Sequence, residues 1–145
     1  MPGPPSPSAR VSAAAVGSDC PVTSPNRSAP PDDEVESTHL GNGLIGTDLW
    51  PDGLVIARPE FVQPDGSIVV KWPWWRARDV VIGQVEITGR RIDAPGPPVT
   101  GVVASGYGDT DFTPSSVIFP SPGCWEVTSR VGNASLSFVT QVVAP

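Results

Sequence analysis

The stretch from Phe119 to Val143 constrains this chain more than any other. From Cys124 to Val131 the residues alternate, with Cys124, Glu126, Thr128 and Arg130 on one parity and Trp125, Val127, Ser129 and Val131 on the other. Gly132-Asn133 follows, and Leu136, Phe138 and the run Val139 to Val143 resume the alternation. Side chains on a strand point to opposite faces at successive positions, so period-two patterning on both sides of a Gly-Asn pair predicts a β-hairpin. A hairpin built this way needs a partner surface for its apolar parity, which makes an all-β domain the expected fold class.

The rest of the chain supports that class. Leu44 to Trp50 reads as a strand, followed by Pro51-Asp52-Gly53 and a second strand from Leu54 to Arg58. Pro64-Asp65-Gly66 then precedes Ser67 to Trp72. Proline presets the φ of a turn's second residue, and glycine takes the left-handed position, so each Pro-Asp-Gly predicts a hairpin turn and the set a meander of three or four strands. Val80 to Ile92, Val99 to Ala104 and Ser116 to Phe119 are further strands, with a polar loop from Ser105 to Pro114. The total is seven to eight strands at the spacing of an antiparallel β-sandwich, with no amphipathic helix of useful length. Residues 39–145 are assigned to that domain. Residues 1–38, rich in Pro, Ser and Ala with few large apolar side chains, read as a disordered tail, because they bury too little surface to offset the entropy of ordering them.

Charge and cysteines narrow the setting. The net charge is −6, with no basic stripe to neutralise phosphates, so a nucleic-acid partner is not expected. No window reaches the ~20 apolar residues of a transmembrane helix. Cys20 and Cys124 are the only cysteines, and their separation suggests a bridge tying the N-terminal region to the last hairpin; the alternative is a pair of free thiols in a reducing compartment. Small residues before Cys20 look like the end of a lipoprotein signal, although Asp19 does not fit and no leader is evident in this chain. The expected location is extracytoplasmic, either secreted or associated with the cell envelope.

Trp72-Pro73-Trp74-Trp75-Arg76 is the one conspicuous cluster. Indole faces stack on sugars, proline-rich peptides and cations, so Trp72, Trp74, Trp75 and Arg76 are the candidate ligand-binding residues. The competing reading packs these rings into the core, with Pro73 marking an edge strand. Trp72 and Trp74 share a parity that Trp75 does not, so the three cannot all be buried on one face. Asp109 and Asp111 in the polar loop are weak calcium candidates, since only two carboxylates lie close together; capping of the loop by Asx turns is the simpler role. With one histidine, His39, and no Gly-x-Ser-x-Gly elbow, neither catalytic residues nor a cofactor are expected.

The segments Tyr107 to Phe112, Phe119 to Thr128 with its Gly123-Cys124-Trp125-Glu126-Val127-Thr128 core, and Arg130-Val131-Gly132 resemble a family of uncharacterised bacterial secreted proteins and lipoproteins. Residues 20–26, Leu49 to Gly53, Trp72 to Arg76 and Gly89 to Asp93 resemble it as well. The resemblance implies an immunoglobulin-like sandwich outside the cytoplasm and carries no catalytic residues with it. The expected function is that of a non-enzymatic exported domain binding a protein or glycan. The alternatives are an accessory envelope domain without a ligand or, less favoured, a small hydrolase in which His39 meets Asp109, Asp111 or a cysteine.

Overall fold

The last hairpin forms as its alternation requires. Strand β8 (Gly123–Val131) pairs antiparallel with β9 (Ala134–Val143) over nine positions, and the two-residue turn at Gly132-Asn133 joins Val131 to Ala134. The structure, a computed structural model, describes residues 20–28 and 36–145. Seven further strands precede the hairpin: β1 (His39–Gly41), β2 (Ile45–Asp48), β3 (Leu54–Ile56), β4 (Ile68–Arg76), β5 (Glu86–Arg91), β6 (Val99–Val103) and β7 (Asp111–Phe119). All nine belong to one sheet in the order β1-β2-β4-β7-β6-β5-β8-β9-β3. Every pairing is antiparallel except β3 on β9, which is parallel, so the sheet is mixed and has nine strands where seven to eight antiparallel ones were expected.

The sheet curls on itself, as the core shows. Trp72 of β4 stacks on Phe138 of β9 with ring centroids 5.3 Å apart, although β7, β6, β5 and β8 lie between those strands in the sheet. Trp74 also meets Phe138, and Phe119 links Trp72 to Trp125. Rings this large remove much apolar area from water, and they interdigitate with Val70, Val117, Val127 and Val55, all at or below 1% exposure.

Three local expectations change, the first being the strand expected from Val80 to Ile92, which runs only over Glu86–Arg91. Pro51-Asp52-Gly53 is a short 3-10 turn with Asp52 at φ 57°, and it turns no hairpin: β3 leaves β2 and joins β9. Pro64-Asp65-Gly66 does make a tight turn, closed by a single Val62–Ile68 bridge. β4 is an interior strand, between β2 and β7, in spite of Pro73. Pro73 lies directly opposite Pro114 of β7. The Pro73 carbonyl accepts the Thr47 hydroxyl from the β2 side, and the Pro114 carbonyl accepts the Ala104 N–H from the β6 side. N–H and C=O of a strand residue point the same way, so both missing donors face away from the β4–β7 ladder and cost it nothing.

Residues 20–28 close the curl. Cys20 is disulfide-bonded to Cys124 of β8, with Cα atoms 5.5 Å apart. The Thr23 N–H donates to the Val139 carbonyl of β9, and the Thr23 hydroxyl accepts from the Val139 N–H. Further along, Asn26 brackets Gly41 of β1 with two bonds and the Arg27 N–H donates to the His39 carbonyl. One short segment therefore bonds both the stretch of β9 that β3 leaves unpaired and the free edge of β1. Gly53, at φ +71°, lies under Val22; an added Cβ there would come within 2.7 Å of the valine. The predicted tail of residues 1–38 thus includes a segment that is part of the fold, while residues 1–19 and 29–35 lie outside the described residues.

Candidate functional site

Alternation along β4 decides what each residue of the tryptophan cluster can do. Ile68, Val70, Trp72, Trp74 and Arg76 point inward, and Val69, Lys71, Pro73 and Trp75 point outward. Trp72 and Trp74 are core residues with no face left for a ligand. The Trp74 Nε1–H donates to the Ser115 Oγ at 2.8 Å, and that hydroxyl in turn donates to the Trp72 carbonyl. Trp72 Nε1 is buried without a hydrogen-bond partner among the described residues, so its place rests on packing alone.

Arg76 is 1% exposed, and among the described residues it forms no salt bridge with a carboxylate. Its guanidinium donates to the carbonyls of Asp111, Gly83, Gly108 and Thr110. Burial lowers its pKa from the ordinary arginine value, opposed by Asp109 and Asp111 nearby, and a guanidinium stays charged in any case. Arg76 is thus a buried post that ties two loops, residues 77–85 and 108–111, to the end of β4. Thr110 assists: its hydroxyl donates to the Val81 carbonyl and accepts the Asp79 N–H. This loop was expected to be held by Asx turns at Asp109 and Asp111. Instead, the Asp109 carbonyl accepts the Gly83 N–H, and the Asp111 carboxylate pairs with Arg78 at 2.7 Å. Among the described residues no three His, Cys, Asp or Glu side chains gather where a metal could sit.

Trp75 is the member of the cluster that reaches the surface, half-buried. It lies opposite Phe112 of β7, with ring centroids 5.5 Å apart, and Phe112 meets the edge of Tyr107 at 5.8 Å. On the other side His39 packs 5.7 Å from Trp75, held in place by the Glu36 N–H donating to its Nδ1. Tyr107 is 47% and Phe112 37% exposed, so this row of rings across β1, β4 and β7 opens to solvent. Sequence reasoning named Trp75 and missed Phe112 and Tyr107. The signal was there: alternation places Phe112 on the outward parity of β7, but a strand started at Ser116 leaves it in a loop. His39 sits in the row as a buried prop. Its ring neighbour is Trp75, and both cysteines are in the disulfide.

A second concavity of about 250 Å³ lies beside β3, lined by Trp50, Pro51, Asp52, Leu54, Ile56 and Arg58. Trp50, one of its lining residues, packs edge-on to Phe61 and tilted against Trp72. Leu54 and Ile56 are exposed on either side of the fully buried Val55. No signal in the sequence marked this groove beyond the outward parity of those two residues.

In comparison with known proteins, no family model, no curated protein and no solved structure matches this chain. The likeness carried by the Gly-Cys-Trp-Glu-Val-Thr hairpin therefore rests on sequence alone. No helix among the described residues is long and apolar enough to cross a membrane.

Proposed function

We propose that this chain is an exported, non-enzymatic binding domain, associated with the cell envelope, that engages a protein or glycan through the outward face of β4 and β7. One observation carries the reading: the row Trp75–Phe112–Tyr107, backed by the buried His39, presents aromatic surface to solvent at the end of the nine-position β4–β7 ladder. Exposed large rings held by neighbouring packing favour binding, because little side-chain freedom remains to be lost when a partner arrives. We read the curled sheet as an immunoglobulin-like sandwich, supported by the facing of β4 and β9 across Trp72 and Phe138. The Cys20–Cys124 disulfide is compatible with an oxidising, extracytoplasmic setting.

The reading of a purely structural accessory domain would be favoured by burial of all five tryptophans. Trp72, Trp74 and Trp125 are buried, but Trp50 and Trp75 are only partly so, which favours the binding reading. The test compares binding of the wild-type domain and a Trp75→Ala/Phe112→Ala double variant to purified envelope material from the native host. Loss of binding in a variant with unchanged far-UV circular dichroism supports the face; equal binding by both proteins removes it. Intact mass of the native protein, with and without reduction and alkylation, tests export through the state of the two cysteines.

A further inference from the structure

Resting on that binding face, we infer that its ligand is an uncharged glycan chain lying along β4 and β7. The outward residues of the two strands form cross-strand rows: Trp75 opposite Phe112, then Pro73 opposite Pro114, then Lys71 opposite Ser116. At about 3.3 Å per strand residue, Trp75 and Lys71 stand roughly 13 Å apart, enough for an extended chain rather than a single small molecule. The first two rows are apolar, and neither proline offers an N–H. Polar groups stand at both ends, the Arg78–Asp111 pair beyond Trp75 and the Lys71 ammonium 3.5 Å from the Ser116 hydroxyl. A floor of ring faces with donors and acceptors at its ends matches a sugar chain, which has apolar faces and hydroxyl rims.

Charge decides against the charged alternatives. Arg78 is neutralised by Asp111, Arg76 is buried beneath, and Lys71 is the only lysine, on a chain of net charge −6. This face has no cluster of cations to hold phosphate, sulfate or uronate groups, and the field of the whole chain repels anions. A protein segment is the competing occupant, and the test below separates it from a glycan.

The test titrates the full chain with cellohexaose, chitohexaose and maltohexaose, and separately with a proline-rich decapeptide, by calorimetry at low and high salt. The expected result is binding of at least one neutral oligosaccharide, insensitive to salt. Trp75→Ala should weaken it about tenfold, the worth of one aromatic contact, and Trp75→Phe should restore much of it. Leu54→Ser, on the distant β3 groove, should bind as the wild type does. Neutral-sugar binding that Trp75→Ala and Phe112→Ala leave unchanged overturns this assignment. Trp75-dependent binding of the peptide without any sugar binding overturns the glycan and keeps the face. Binding of neither probe class removes both.

Discussion

The two faces of β4 carry the same residue type to opposite ends. Inward, Trp72 and Trp74 meet Phe138 across the curl of the sheet; outward, Trp75 meets Phe112 at the solvent boundary. The inward rings contribute to stability because water is excluded on all sides. The outward ring leaves area exposed that a ligand could cover, and costs the fold little if removed. Identical chemistry one residue apart is thus divided between holding the domain together and meeting a partner, and the division follows from the pleat of a strand.

The sharpest break of this contrast is truncation of the inward rings. Trp72→Ala or Trp74→Ala should lower stability by about 3–5 kcal/mol in urea unfolding, with cavities too large to collapse. If either variant unfolds at the wild-type midpoint, the inward face does not hold the core as described. Next comes a site where an outward residue is buried. Cys124 lies on the outward parity of β8 yet is 2% exposed, bridged to Cys20. Replacing both cysteines with serine should cost about 2–4 kcal/mol, below the ~4.7 kcal/mol that a hundred-residue loop gives in the chain-entropy limit. The same variant should raise hydrogen exchange at Thr23 and Val139, whose pairing the bridge supports.

Arg76→Lys sharpens the contrast at the end of the strand. An ammonium cannot reach four carbonyls arranged around a planar fork, so unsatisfied acceptors should cost about 1–3 kcal/mol, with faster exchange in residues 108–111. A wild-type exchange pattern there would show that the loop holds itself. Trp75→Ala should then cost less than about 1 kcal/mol, as expected of a surface-facing side chain, while changing ligand binding most.

The smallest effect is a pH dependence on the outward side. The hydrogen bond from Arg91 holds the Asp93 carboxyl below its usual value against the opposing effect of burial, with further help from the Cys124 backbone. A depressed folded-state pKa adds stability that is complete above the unfolded value, ~3.9, and is lost as pH falls through the folded one. Asp93→Asn should therefore lower the melting temperature slightly at neutral pH, where the contribution of the carboxylate is complete, and converge on the wild type as pH falls below about 4, so that its acid profile is flatter. A steeper acid loss in the variant would reverse the sign argued here.

Much of this was legible in the residues and some could not have been. Alternation alone gave the all-β class, the β8–β9 hairpin with its turn at Gly132-Asn133, and the split of Trp72 and Trp74 from Trp75, because a strand's period is a local property of the backbone. Two cysteines suggested the bridge of Cys20 to Cys124 but left a pair of free thiols open, and the structure shows the bridge. Which strands become neighbours is a non-local property, and there local signals failed: Pro51-Asp52-Gly53 reads as a hairpin turn, yet β3 pairs in parallel with β9. Residues 20–28 have the composition of a tail and become the closure between β9 and β1, since their hydrogen-bond partners lie far along the chain. The sequence by itself determined which side chains share a face. Only the tertiary structure decided which face is inside and where Arg76 finds its four carbonyls. It also brought Tyr107 and Phe112 beside Trp75, because burial and long-range pairing depend on the whole curl of the sheet.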